Sequence, residues 1–137
     1  MNEMTLPRRR SKPRMGIRES SVIRCSGHRA FIRSFECALA TGSFAKHCDG
    51  ETECAHVRTG TDGGTGMKPS DCWTIPLCRG HHREQHNIGE PAFEKRYAIR
   101  MKAMAEQLWN ISPAGKRYRR DRMMDAVPSD QRSEPKR

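Results

Sequence analysis

The chain has 137 residues, of which 34% are hydrophobic and 31% charged, and its formal net charge is +10. This length and low apolar content predict one small domain that needs a bound metal to fold, and no stretch approaches the roughly 20 apolar residues of a membrane span. The six cysteines come without an N-terminal apolar signal segment, so we expect metal ligands and free thiols in a cytoplasmic protein, not disulfides.

The positive charge is concentrated towards the two ends of the sequence. Residues 1–33 contain nine Lys/Arg against two acids, residues 34–90 five against eight, and residues 91–137 twelve against six. Basic ends around a less basic centre suit a polyanionic substrate such as DNA, although the same composition is common in solvated tails.

The first predicted elements are an arm, a strand and a short helix. Residues 1–20 are rich in arginine and contain two prolines, which predicts a disordered basic arm. The apolar positions of residues 21–35 allow a strand followed by a short helix, and a loop follows at residues 39–49.

A hairpin and a helix form the centre of the predicted domain. Residues 51–58 lack a helical pattern and stop at a glycine-rich loop, which predicts a short strand. Residues 72–78 alternate apolar and other side chains, which predicts a half-buried strand, and Pro76 places that strand at a sheet edge. Residues 80–88 have helical spacing and stop at Gly89.

The last part of the sequence is predicted to be helical and then disordered. A helix is expected to begin near Pro91, to break near residues 98–100, and to continue as an apolar core stripe to about Trp109. Residues 112–137 are basic and poor in apolar side chains, so we expect a mostly disordered tail. The folded domain is therefore expected over residues 21–111.

One group of candidate metal ligands has the composition of a structural zinc site, three thiolates and one imidazole. It comprises Cys37, Cys48, Cys78 and His81. The C-x-x-H pair at its end is the specific part. Spacing alone does not select the first two cysteines, because Cys25 with His28 forms another C-x-x-H pair and His47 adjoins Cys48.

A second group of candidate ligands consists of histidines and an aspartate. It comprises His56, Asp71, His82 and His86. Two of these histidines are four residues apart and share one helical face, which makes half of a site for a divalent metal. Such a pair is often only a solvated face, but here it follows the C-x-x-H pair directly.

These residues resemble the HNH nucleases, also called ββα-metal or His-Me finger nucleases, and among them the phage-type Ref and YbcO proteins. The likeness lies in A-H-V-R at 55–58, K-P-S-D at 68–71 and I-P-L-C-x-x-H-H-x-x-x-H at 75–86. It implies an α+β fold with a small zinc-stabilised ββα-metal core, flanking helices and disordered basic termini.

The resemblance also implies roles for individual residues. His56 matches the general base, and His82 and His86 match the ligands of a catalytic Mg²⁺ or Mn²⁺. Asp71 stands near the family's middle asparagine, so it is expected to orient the base or to bind the metal. Many family members carry a metal ligand immediately before the base, where this chain has Ala55.

Glu53 is not expected to replace that missing ligand. Strand alternation places the side chains of Glu53 and Ala55 on the strand face opposite His56.

Four basic residues near these motifs are candidates for binding phosphates. They are Arg58, Lys68, Arg79 and Arg83. Arg58 lies two residues after the base on the same strand face, so it is also a candidate catalytic residue.

The function predicted from these observations is a metal-dependent DNA endonuclease that hydrolyses phosphodiester bonds with a histidine base and a single divalent metal. The resemblance further suggests a phage-derived role in recombination or DNA processing, with a recombination protein as a candidate partner. The alternative is a zinc-stabilised DNA-binding accessory protein without catalytic activity.

Overall fold

The computed structural model of the chain describes residues 22–64 and 66–125. These residues form a small α+β fold with a two-stranded sheet. In chain order the elements are α1 (Ser26–Arg33), a 3₁₀-helix (Gly42–His47), β1 (Thr52–His56), β2 (Thr74–Cys78), α2 (Arg79–Ile88), α3 (Glu90–Tyr97), α4 (Met101–Ile111) and α5 (Pro113–Asp125).

The predicted hairpin and helix are confirmed. Strands β1 and β2 pair antiparallel, with Thr52 opposite Cys78 and His56 opposite Thr74. Helix α2 follows β2 without a linker, and the Sγ atom of Cys78 accepts a hydrogen bond from the backbone N–H of His81 at 3.4 Å. Gly89 ends α2 with a φ of 83°, a backbone angle that glycine adopts without strain.

The expectation that β2 is half-buried is wrong, because all five of its residues are buried. Helices α1, α2 and α4 all pack against this two-stranded sheet, so neither face of β2 is left to solvent. The edge position of Pro76 is compatible with the pairing, since its missing N–H is not needed there. Its carbonyl accepts a hydrogen bond from the N–H of Ala38 at 2.8 Å.

The predicted helix break and the apolar stripe are both confirmed. Ala98 ends α3 in the left-handed conformation, with a φ of 53°, and the carboxylate of Glu94 accepts the N–H of Met101 at the start of α4, at 2.9 Å. Met101 and Ala105 of α4 are fully buried in the core, as is Phe93 of α3. The stripe therefore belongs to the core.

The strand expected near the start of the domain is wrong, whereas the short helix is confirmed as α1. Residues 22–25 form no regular element. Their backbone is instead held by residues before β2: the N–H of Ile23 donates to Ser70 Oγ and its carbonyl accepts from the N–H of Asp71, both at 2.9 Å.

The expectation of a mostly disordered tail at residues 112–137 is wrong for its first half, which forms α5. Pro113 occupies the first helical position, where a missing N–H costs nothing, and Ser112 Oγ accepts the N–H of Gly115 at 3.1 Å. The predictions for residues 1–20 and 126–137 lie outside the described residues.

Helix α5 is held in place by close contacts with α1 and α4. A Cβ at Gly27 would lie 2.9 Å from the Cβ of Ala114, and a Cβ at Gly115 would lie 2.8 Å from the Trp109 ring. Low apolar content suggested a solvated tail, but two glycines let the helix backbones approach closely enough to pack. Among the described residues, no helix is long and apolar enough to cross a membrane.

His28 is a buried histidine of α1 that contributes to the pH dependence of folding. Its ring is fully buried, with its centroid 4.8 Å from that of Trp109, and within the described part of the chain neither ring nitrogen has a hydrogen-bond partner. Burial lowers the pKa of His28 from 6.5 to about 4. The folded protein therefore keeps this ring neutral at pH values where the unfolded chain binds a proton.

We expect this difference to destabilise the protein as the pH falls from about 6.5 towards 4. The loss from His28 at pH 5 should be about 2 kcal/mol in the free energy of unfolding. Denaturant unfolding of zinc-loaded wild type and His28→Leu at pH 7 and pH 5 measures it, because the variant should lose less stability between the two pH values. Equal losses would show that another group carries the effect.

Candidate metal and catalytic centre

Three cysteines and one histidine meet in the interior of the domain, between the residues after α1, the end of the 3₁₀-helix and the β2–α2 junction. Their donor atoms all lie within 4.8 Å of one another. Within the described ranges, the residues that form such a group are Cys37, Cys48, Cys78 and His81. His81 Nδ1 lies 3.6 Å, 3.7 Å and 3.1 Å from the Sγ atoms of Cys37, Cys48 and Cys78. The predicted group is confirmed.

The surrounding backbone supports a thiolate at the centre of this group. Cys78 Sγ accepts the N–H groups of Asp49 and His81, each at 3.4 Å. Burial opposes ionisation of Cys78, but these hydrogen bonds outweigh it and lower the pKa of the thiol. Burial raises the pKa of Cys48 to about 12, so binding a cation there must displace a thiol proton.

The donor set and its spacing fit a structural metal such as zinc. Ligands bonded tetrahedrally at about 2.1 to 2.3 Å lie roughly 3.4 to 3.8 Å apart, and the observed separations are close to that range. The alternative ligands are outside the group: His28 packs on Trp109, the N–H of Cys25 donates to Asp71, and His47 is exposed.

His56, the predicted base, is paired with a buried carboxylate. His56 Nε2 lies 3.0 Å from Oδ1 of Asp71, which is fully buried. Burial opposes ionisation of Asp71, but the hydrogen bonds from His56 and the N–H of Cys25 outweigh it and lower the pKa of the carboxyl group. An ionised Asp71 requires the proton on Nε2, which leaves the lone pair of the imidazole on Nδ1.

Burial also lowers the pKa of His56 below its ordinary value, although the hydrogen bond that its ring donates to Asp71 acts in the opposite direction. The ring is therefore largely neutral near pH 7. Its main-chain carbonyl accepts a hydrogen bond from Gln85 of α2 at 3.2 Å, which ties the end of β1 to that helix.

The structure does not bring Asp71 together with His82 and His86, as the predicted second ligand set required. Both oxygens of Asp71 face other groups: the N–H of Cys25 at 2.8 Å from Oδ2, and the guanidinium groups of Arg24 and Arg29 at 3.6 Å and 3.5 Å. Its position corresponds to the orienting role that the sequence left open for it.

His82 and His86 do lie together, and a glutamate that the sequence had excluded joins them. Their Nε2 atoms are 3.1 Å apart, and Nδ1 of His82 lies 3.0 Å from Oε2 of Glu53. Glu53 does not line the cleft that contains His56, as strand alternation predicted, but α2 packs on β1 and brings Nδ1 of His82 within reach of the long glutamate side chain. The hydrogen bond to His82 lowers the pKa of Glu53.

His56 and the pair His82 and His86 line one cleft of about 510 Å³, and four basic side chains also line it. The lining residues are Arg29, Arg33, Cys54, His56, Arg58, Lys68, His82 and His86. Arg58 is positioned by its own N–H, which donates to the carboxylate of Glu90 at 2.6 Å.

Two of the predicted basic residues, Arg58 and Lys68, are in the cleft lining and two are not. Arg79 is outside it, with its Nε 3.5 Å from Glu53, and Arg83 is an exposed residue of α2 that does not line the cleft. Sequence reasoning missed Arg29 and Arg33. Their spacing of four residues indicated one helical face, but nothing in the sequence indicated that this face covers β1.

A family model described as "Protein of unknown function (DUF968)" matches residues 12–114, about three quarters of the chain. No curated protein and no solved structure matches the chain.

Proposed function

We propose that the chain, which belongs to the DUF968 family, is a metal-dependent DNA endonuclease that hydrolyses phosphodiester bonds. The observation that carries this proposal is the content of one cleft. His56, which pairs with the buried Asp71, lines the cleft together with His82 and His86, and the remaining lining is largely basic. A histidine–aspartate pair can take a proton from water, and the four surrounding cations can bind phosphates.

In this proposal His56 is the general base. Its pairing with Asp71 fixes the ring so that Nδ1 carries the lone pair, and the lowered pKa keeps the ring neutral near pH 7. A neutral, oriented imidazole can take the proton from the water that attacks the phosphorus. Asp71 then stabilises the imidazolium that forms, as a buried carboxylate does in other histidine pairs.

His82 and His86 are the residues that would hold the catalytic metal, and their arrangement fits this role. The carboxylate of Glu53 accepts a hydrogen bond from the Nδ1–H of His82, which leaves the lone pair of His82 on Nε2, the atom that faces Nε2 of His86. The chemistry supplied by a bound divalent ion is neutralisation of the phosphate and stabilisation of the leaving oxygen. Imidazole donors favour Mn²⁺ over Mg²⁺, which prefers oxygen ligands.

Four basic side chains would bind the DNA phosphates next to the general base His56: Arg29, Arg33, Arg58 and Lys68. Arg29 also contacts Asp71, so it would link phosphate binding to the carboxylate that orients His56. Guanidinium groups bind phosphate oxygens through paired hydrogen bonds. Arg58 serves catalysis in this proposal only through the charge that it brings to the reacting phosphate.

Four residues form the group that would bind zinc, called here the Cys37 group: Cys37, Cys48, Cys78 and His81. Zinc bound by this group would hold the catalytic residues in place. Its ligands come from the segment that precedes β1, from the end of β2 and from the first turn of α2, the helix that carries His82 and His86. The likeness to phage-type nucleases further supports a role in recombination or DNA processing, with a recombination protein as the binding partner.

A plasmid-nicking assay tests the proposal. Purified zinc-loaded protein is incubated with supercoiled plasmid and either Mn²⁺, Mg²⁺ or no added ion, and we expect nicking that depends on the added ion. Absence of nicking with every ion, together with retained DNA binding, would favour the alternative of a zinc-stabilised accessory protein. In that alternative the basic cleft would bind DNA and the Cys37 group would bind the structural zinc, without cleavage.

Adjacent histidines of α2 should give different phenotypes when each is replaced. His82→Ala is expected to abolish nicking and weaken Mn²⁺ binding while leaving the zinc content at one per chain, because His82 lies outside the Cys37 group. His81→Ala is expected to lose zinc and lower the melting temperature, because it removes a donor at the centre of that group. Metal analysis, titration with Mn²⁺ and thermal melting separate the two, and identical phenotypes would contradict two separate sites.

A further inference from the structure

Helix α3 begins with an acid that belongs to neither group of candidate metal ligands. Glu90 is the first residue of α3, and it lines a small pocket of about 280 Å³ that continues from the His56 cleft. His56, Arg58 and His86 line both the cleft and this pocket. A carboxylate at this position repels the phosphates that the cleft would bind, so its presence there calls for a physical reason.

The carboxylate of Glu90 accepts hydrogen bonds from two consecutive backbone N–H groups. Its Oε1 lies 2.6 Å from the nitrogen of Arg58 and 3.3 Å from that of Thr59, and its Oε2 lies 3.1 Å and 3.3 Å from the same two atoms. The backbone pairing with the second strand ends one residue earlier, at Val57, whose N–H donates to the carbonyl of Trp73 at 2.8 Å. The carboxylate therefore takes the place of a strand partner for the next two N–H groups.

The main chain around Arg58 is held at further points. The carbonyl of Arg58 accepts the hydroxyl of Thr61 at 2.8 Å and the N–H of Thr61 at 3.2 Å. Two residues earlier, the carbonyl of His56 accepts Nε2 of Gln85 at 3.2 Å. Arg58 itself is exposed and lines the cleft. Because the main chain of this arginine is already fixed, binding a phosphate has fewer bonds to order.

Glu90 joins the end of the first strand to the junction of two helices. Gly89 ends α2 with a φ of 83°, and Glu90 follows it directly as the start of α3. The turn that ends α2 therefore also sets where the carboxylate lies. Since α2 carries His82 and His86, this junction fixes the main chain of Arg58 relative to the histidine pair.

We propose that Glu90 is a positioning residue for DNA binding: by holding the N–H groups of Arg58 and Thr59, it directs the Arg58 guanidinium to a phosphate in the His56 cleft. The inference rests on the proposed function for its choice of DNA as the ligand of the cleft. It predicts an effect opposite to that of charge alone. Removing an acid from a basic surface strengthens the binding of a polyanion by electrostatics, whereas the loss of Glu90 weakens it through Arg58.

The test is a double-mutant cycle on the binding of a short DNA duplex to the full-length, zinc-loaded protein without added divalent ion. Arg58→Gln and Glu90→Ala should each weaken binding by roughly 3- to 10-fold. The double variant should bind within about twofold of Arg58→Gln, because Glu90 acts through that side chain. In all three variants the slope of log affinity against log salt should be less steep by about 0.9, the contribution of one phosphate contact.

Further variants separate hydrogen bonding from charge and from folding. Glu90→Gln keeps an acceptor oxygen and removes the charge, so it should bind the duplex within about twofold of the wild type. Glu106→Ala removes an exposed acid of α4 that lines neither the cleft nor the small pocket, and it should also stay within about twofold. Thermal melting checks folding. If Glu90→Ala does not fold, Glu90→Asp replaces it in the cycle, because the shorter side chain keeps the charge but withdraws the oxygens.

Three outcomes would overturn the inference. These are unchanged or tighter binding by Glu90→Ala or its Glu90→Asp substitute, additive losses in the double variant, and a loss in Glu90→Gln equal to that in Glu90→Ala. Binding is measured without cleavage, so the two proposals fail separately. A protein that follows the cycle but does not nick DNA removes the endonuclease proposal alone, whereas a wild type that nicks DNA and shows additive losses removes the positioning role alone.

Discussion

Replacing His56 by alanine is expected to reduce plasmid nicking by roughly 10²- to 10⁴-fold, the usual contribution of a positioned base. Zinc content, folding and DNA affinity should change little. The reason is positional, since His56 ends β1 outside the Cys37 group, and as a base it acts on the transition state more than on bound DNA. Asp71 keeps the N–H of Cys25 and the nearby Arg29 when the imidazole is removed.

The measurement is the initial rate of nicking at saturating Mn²⁺, with affinity for DNA determined separately. His47→Ala is a matched control, because it removes an exposed histidine outside the cleft lining and the Cys37 group. Nicking by His56→Ala at the rate of this control would exclude His56 as the base. A large loss of DNA affinity would instead assign it to substrate binding.

Replacing Cys78 by serine is expected to release the zinc and unfold the domain. Cys78 joins β2 to α2, its Sγ lies 3.1 Å from His81 Nδ1, and it accepts two backbone N–H groups. Apparent binding free energies for structural zinc are roughly 10 to 16 kcal/mol, whereas domains of this kind are stable by only about 5 to 15 kcal/mol. Loss of the metal should therefore remove most or all of the stability.

Metal analysis and circular dichroism of purified Cys78→Ser test this expectation. Cys25→Ser is the matched control, since Cys25 lies outside the Cys37 group and takes part in the Asp71 contact through its backbone. The control should keep one zinc per chain and a cooperative unfolding transition. A folded Cys78→Ser protein with a full zinc content would contradict a structural role for the site.

Much of the candidate site was present in the sequence because its ligands follow local spacing rules. The C-x-x-H pair at the end of a strand places Cys78 and His81 together, and four residues on a helix place His82 beside His86. Local rules also predicted the hairpin, α2, and the break at residue 98, because glycine, proline and periodicity act over a few residues.

Tertiary packing decided the features that join distant segments. The crossing of α2 over β1 brought Glu53 to His82, and the packing of α1 on the sheet brought Arg29 and Arg33 into the cleft. Both depend on how one element is placed on another, which periodicity within an element does not encode.

The same distinction explains the two errors at the ends of the domain. Apolar content alone led to a strand before α1 and to disorder after residue 112. The structure has backbone pairing of Ile23 with the residues before β2, and a helix whose close approach depends on Gly27 and Gly115. Sequence alone determined the ligand types and their local geometry, whereas the burial that pairs Asp71 with His56 came only from long-range packing, because contact across many residues depends on the whole chain.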